Sequence, residues 1–223
     1  MGRTINLNTA TMQCIGAYLA EPAGMPRGGV VVAQEIFGVN AHIRAVADRL
    51  ATAGYTAIAP AFFDHLERDV VLAPDAAGQK RGMALAAELD FAHVTEDVGS
   101  AAASIASSGR IACVGFCWGG TVALLAAIRL GLPAVSFYGS RNVRFLDQPV
   151  TAPVQFHFGE HDRSIPAAAI ERHRQEVAGA EVFTYPEAGH AFHSDPRDSY
   201  HAASAALAWQ RTLDFLDRHL GPQ

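Results

Sequence analysis

The chain has 223 residues, half of them apolar, and a net charge of −5. That length and composition suit a single α/β domain spanning 1–223 with a full core. The acidic balance argues against nucleic acid or an anionic membrane as a partner, and no apolar run is long enough to span a bilayer.

Residues 13–19 read as a strand, followed by a turn through Glu21, Pro22, Gly24 and Pro26. Residues 29–33 form a continuous β-branched run, as in a strand buried on both faces. Asn40 can cap a helix over 41–53 with Ile43, Val46, Ala47 and Leu50 on one face, and Gly54 stops it. The next strand starts at Tyr55. The charged stretch 61–82, with Pro74 and Gly78, has poor periodicity and is expected to be a long loop over the sheet's C-terminal edge. Residues 83–107 are Ala-rich and helical, with a break near Phe91. A short strand at 111–114 leads to Gly115-Phe116-Cys117-Trp118-Gly119-Gly120 and a helix over 121–130. Further strands are predicted at 133–138, 153–158 and 181–185. Helices are predicted at 166–177, with Pro166 in the first turn, and at 200–220. Strand and helix alternate throughout, which predicts a mostly parallel twisted sheet with helices on both faces.

Cys117 is the most informative residue. A strand, a Gly-x-nucleophile-x-Gly turn and a helix form the nucleophile elbow of α/β-hydrolases, here with a thiol in place of a hydroxyl. Chain order in that arrangement is nucleophile, acid, histidine. Asp162 follows the strand 153–158 and is favoured over Glu160 as the acid. Its alternative role is to cap the helix at Pro166. His190, in the Gly189-His190 step after the strand 181–185, is favoured over His157, His161 and His193 as the base. Cys113 lies within a strand and reads as core. Three cysteines do not make a disulfide framework, and they fit a reducing cytoplasm. A zinc reading of His157/His161 or His190/His193 lacks a helical face to align the ligands, so no metal is expected there. Phe37, Phe62, Phe63, Trp118, Tyr138 and Phe192 follow strand ends and are candidates for the pocket wall.

Four segments resemble the dienelactone hydrolase (carboxymethylenebutenolidase) family. They are Gln34-Glu35-Ile36-Phe37-Gly38-Val39-Asn40, Gly115-Phe116-Cys117-Trp118-Gly119-Gly120, Gly159-Glu160-His161-Asp162 and Gly189-His190-Ala191-Phe192. The tail from Tyr200 through Leu216 is similar as well. The resemblance implies a Cys117-His190-Asp162 triad with no metal and no organic cofactor. It implies that Glu35 couples substrate binding to thiol ionisation, and an oxyanion hole made by the N–H groups of Ile36 and Trp118. It also implies two arginines that hold a substrate carboxylate. Lys80 or Arg81 is near the first of those positions. Ser194 stands at the second, with Arg197 three residues on. Phe37, Arg81, Tyr138, Phe192 and Arg197 are therefore the expected substrate-binding residues.

The expected activity is hydrolysis of an activated ester or enol-lactone through an acyl-thioester. The substrate is a small molecule, the location cytoplasmic and the assembly a monomer or small homo-oligomer. A thiolate attacks well but also leaves well, so a stabilised leaving group such as an enolate is preferred over a simple alkoxide or amine. The alternatives are a broader carboxylesterase or thioesterase, and a non-catalytic thiol-sensing or binding protein.

Overall fold

The computed structural model describes residues 1–221. Its eight strands are β1 (Arg3–Asn8), β2 (Cys14–Ala20), β3 (Gly29–Ala33), β4 (Thr56–Pro60), β5 (Ile111–Phe116), β6 (Ala134–Phe137), β7 (Val154–Gly159) and β8 (Glu181–Tyr185). They form one sheet in the order β1-β2-β4-β3-β5-β6-β7-β8. β1 and β2 are antiparallel to their neighbours, and β3 through β8 all run parallel. Every residue of β3, β4, β6 and β7 is buried, as required of strands covered on both faces.

The covering helices are α1 (Ala41–Thr52), α2 (Ala76–Glu88), α3 (Phe91–Ser104), α4 (Trp118–Arg129), α5 (Ala167–Glu176) and α6 (Ala202–Leu220). Asn40 caps α1 by accepting from the Ile43 N–H at 3.1 Å, and Gly54 follows it at φ +96. α4 buries ten consecutive residues, Trp118 to Ala127, and so reads as apolar on every side. Among the described residues no helix is long and apolar enough to cross a membrane.

The expected loop over 61–82 requires correction. Residues Phe62–His65 form a single helical turn, and α2 begins at Ala76 with Asp75 accepting from the Gly78 N–H at 2.8 Å. The buried stripe of α2 is Gly78, Gly82, Leu85 and Ala86. Two of those four are glycines, so the helical period carries little hydropathy signal. Gly82 is required by close packing, since a Cβ there would lie 1.9 Å from the Ile36 carbonyl oxygen. The break expected near Phe91 falls at Asp90, which caps α3.

Candidate active site

Register alone assembles one end of this sheet. Ala33 pairs with Gly115, and Gly115 with Ser136. Two residues beyond each, past the C-terminal ends of three adjacent strands, stand Glu35, Cys117 and Tyr138. Asp162 and His190 occupy the loops that follow β7 and β8. In open parallel sheets this edge, where the strand order reverses about β3 and β5, is where ligands bind.

Cys117 is the N-cap of α4 and has φ +54 and ψ −115, a left-handed conformation costly for any residue with a Cβ. The surrounding packing enforces it. A Cβ on Gly115 would lie 1.8 Å from the Gly119 carbonyl oxygen, and one on Gly119 would lie 2.3 Å from that of Ala33. The glycines let β5, α4 and β3 close around the turn, while the partly exposed thiol projects from it. Because α4 starts at the next residue, Cys117 sits at the positive end of that helix's dipole.

His190 Nε2 lies 3.2 Å from Cys117 Sγ, and His190 Nδ1 lies 2.6 Å from Asp162 Oδ2. The Asp162 side chain is fully buried and the His190 side chain is 26% exposed. Asp162 Oδ1 accepts from the Ser164 N–H at 2.8 Å and its hydroxyl at 2.6 Å. Burial opposes ionisation of Asp162, but the His190 contact and the two Ser164 bonds win, and its pKa is lowered. Burial likewise disfavours the charged imidazole of His190. The Cys117 charge, the hydrogen bonds to Asp162 and Cys117 and the Asp162 charge outweigh that, raising its pKa to about 10. The arrangement favours the protonated imidazole between the carboxylate and the sulfur.

The remaining expected residues divide by location. Glu35 is 1% exposed, and among the described residues neither carboxylate oxygen has a partner. It borders a cleft with His42, Leu72, Pro74 and Ser194. Tyr138, at φ +39, is buried with its hydroxyl unpartnered, and its ring lies 5.1 Å from that of His190. Burial first, then the negative charges of Glu35 and Cys117, hold the phenol well above its usual pKa, with Arg197 opposing. Tyr138 is therefore a neutral hydroxyl among the charged groups of the site. Arg197 places its guanidinium carbon 5.5 Å from the Phe37 ring centre. Phe37 and Phe192 are buried, and Phe192 lies 5.6 Å from Tyr138 between ring centres.

Among the described residues no backbone carbonyl accepts from the Ile36 N–H, and the Trp118 N–H is the first of α4. Phe62, Phe63 and Phe91 surround the Trp118 ring at 5.8–6.0 Å between centres. Arg81 lies on α2 in an ion pair with Glu67, both side chains about half exposed.

The rival histidines sit elsewhere. His157 is fully buried, with Nε2 2.8 Å from Gln155 Oε1 and Nδ1 2.8 Å from the Tyr185 hydroxyl. Cys113 is buried within β5. Among the described residues, the cluster with metal-ligand proximity is His65, His93 and Asp97, not the pairs considered from sequence. Ser164 is the site residue that sequence reasoning missed. Its signal was the Asp162-x-Ser164 spacing, which is that of an Asx turn.

The model of the dienelactone hydrolase family matches residues 15–220. A carboxymethylenebutenolidase of Pseudomonas putida is 33% identical over 224 residues, covering 95% of this chain and 94% of that protein. An Escherichia coli (strain K12) protein, provisionally named carboxymethylenebutenolidase, is 38% identical over 227 residues, covering 92% of this chain and 83% of that one. A crystal structure of a provisionally named dienelactone hydrolase from Klebsiella pneumoniae superposes with a TM-score of 0.85 at 33% identity, covering 98% and 99% of the two chains. With the architecture and the sequence both shared along nearly its whole length, this chain is a hydrolase of the α/β-hydrolase fold and belongs to the dienelactone hydrolase family.

Proposed function

We propose that the protein hydrolyses an activated carboxylic ester or enol-lactone, with Cys117 as nucleophile, His190 as general acid and base, and Asp162 as the group that orients the imidazole. The observation that carries this reading is the continuous line from Asp162 through His190 to Cys117, with contacts of 2.6 and 3.2 Å. Thiol, imidazole and carboxylate in that order satisfy the requirements for an activated nucleophile.

The Cys117 thiolate attacks the acyl carbon, and the carbonyl oxygen becomes an oxyanion held by the Ile36 and Trp118 N–H groups. The C–O bond to the leaving group then breaks. The leaving enolate takes the proton from His190, and a thioester remains on Cys117. Water gives a proton to His190 and attacks the thioester, and the carbon–sulfur bond breaks to return the thiolate and release the acid. Asp162 keeps the Nδ1–H of His190 directed toward itself, so Nε2 faces the reaction throughout. Glu35, buried beside this centre with both oxygens free, is the second carboxylate available to hold the thiol proton before substrate arrives. The neutral Tyr138 hydroxyl is a donor for a substrate oxygen.

Hydrolysis of an anionic enol-lactone and of a neutral aryl ester, compared in the wild type and in C117S, tests the proposal. Loss of most turnover in C117S is expected, and unchanged turnover removes Cys117 from the mechanism. A broader carboxylesterase is the second reading. It is favoured by Ser194 at the position of an expected arginine and by the engagement of Arg81 with Glu67. A stronger preference for the neutral ester supports it. The reading keeps a small-molecule substrate, a monomer or small homo-oligomer and a reducing, cytoplasmic setting. The last is consistent with three unpaired thiols.

A further inference from the structure

Away from the triad, His65, His93 and Asp97 form a compact group whose donor atoms all lie within 4.8 Å of one another. His93 and Asp97 are four residues apart on α3, which puts them on one helical face. His65 ends the helical turn that follows β4. Asp97 is fully buried. Its Oδ2 lies 2.7 Å from His65 Nε2, while its Oδ1 has no partner among the described residues. A buried carboxylate with a bare oxygen is costly unless a cation faces it. The His65 and His93 rings lie 4.4 Å apart between centres. On its far side His65 meets Gln13 Oε1 through Nδ1. A ligating imidazole commonly holds its other N–H in this way.

We propose that these residues bind one divalent transition-metal ion of the zinc class, through His65 Nε2, a ring nitrogen of His93 and the Asp97 carboxylate. Two imidazoles and one carboxylate match zinc chemistry, with water completing the shell. Zinc–ligand bonds of 2.0–2.2 Å place tetrahedral donor atoms about 3.4 Å apart. The 2.7 Å His65–Asp97 contact and the 4.8 Å limit of the group bracket that spacing. Small side-chain rotations therefore suffice to close the site. The metal takes the place of the hydrogen between His65 Nε2 and Asp97 Oδ2. His65 keeps its remaining N–H for Gln13.

The ion ties the turn Phe62–His65 to α3. Those two elements supply Phe62, Phe63 and Phe91, the aromatic wall around Trp118. Among the described residues none of the three ligands hydrogen-bonds to a member of the triad, so this is a site separate from the thiol.

The experiment uses the full chain carrying C117A, which keeps the reactive thiol from competing, after stripping with a chelator. Zinc chloride is titrated by calorimetry and cobalt chloride by visible absorption. One equivalent should bind and raise the melting temperature, and the cobalt complex should show d–d bands without a thiolate charge-transfer band. H93N, at a half-buried position on α3, should retain native circular dichroism and weaken binding by about 100-fold. D97N should do the same, and H190N should bind as tightly as its parent. Absence of saturable binding in the folded C117A chain overturns the proposal. So does binding that H93N leaves intact or that H190N abolishes.

Discussion

Glu35 and Cys117 stand at matching positions just past the ends of neighbouring parallel strands, each two residues beyond the Ala33–Gly115 register pair. A buried carboxylate, unpartnered among the described residues, thus shares an edge with the Cys117 sulfur. As an anion it opposes thiolate formation. As a proton acceptor it makes thiolate formation local and reversible. E35Q removes both effects. Its turnover of an anionic enol-lactone should fall by about tenfold or more, the lower end of a lost proton-transfer group being 10²-fold when no other base substitutes. Alkylation of Cys117 by iodoacetamide should not slow. Steady-state kinetics beside a timed alkylation series measures both, and unaltered turnover assigns Glu35 a packing role only.

The Ser164 hydroxyl lies 2.6 Å from Asp162 Oδ1 and helps hold that carboxyl ionised. S164A deletes this bond and leaves the Ser164 N–H bond in place. At about 1 kcal/mol per hydrogen bond, kcat/KM should drop roughly fivefold. The Asp162 pKa should rise, so the acid limb of the pH–rate profile should move to higher pH. A profile superimposable on that of the wild type contradicts this role.

Arg197 reaches over Phe37, whereas Arg81 is held by Glu67 on the surface. R197Q should raise KM for an anionic lactone by about tenfold, corresponding to about 1.5 kcal/mol for a charge-assisted contact. It should leave KM for a neutral aryl ester unchanged. R81Q should affect neither substrate. Equal effects of R197Q on both substrates would falsify a carboxylate-reading role for Arg197.

Two buried histidines make stability depend on pH. Burial lowers the His157 pKa to about 3 and the His173 pKa to about 4, from 6.5 in the unfolded chain. Their contribution is complete above pH 6.5. It is lost as pH falls toward those values, because only the unfolded chain takes up protons there. Each histidine adds a slope of about 1.4 kcal/mol per pH unit in that window. Urea denaturation between pH 7 and 4.5 should show the decline, and H157N should make it shallower. A flat profile is incompatible with neutral burial of these rings.

The sequence discloses most of the sheet, because β3 through β7 carry dense apolar runs and glycines mark several of their ends. It places Cys117, Asp162 and His190 together because each follows the C-terminal end of a strand, β5, β7 and β8 in turn. It hides α2, whose buried face is half glycine, and it therefore misplaces the helix's first turns, 76–82, as part of the loop. Arg81 illustrates a second limit. Its place near the expected motif is visible, but its pairing with Glu67 depends on how the turn and α2 meet in space. The His65, His93 and Asp97 group is hidden for a similar reason. Twenty-eight residues separate His65 from His93, and nothing local links them before α3 packs against β3 and β4.

The central claim is that the acyl group passes through the sulfur of Cys117. Rapid mixing with an enol-lactone, an acid quench and intact-mass analysis with peptide mapping tests it directly. A transient adduct equal in mass to the acyl group, carried by the peptide containing Cys117 and absent in C117A, is the expected result. Hydrolysis by C117A at the wild-type rate, with no adduct on the wild-type protein at any time point, would contradict it.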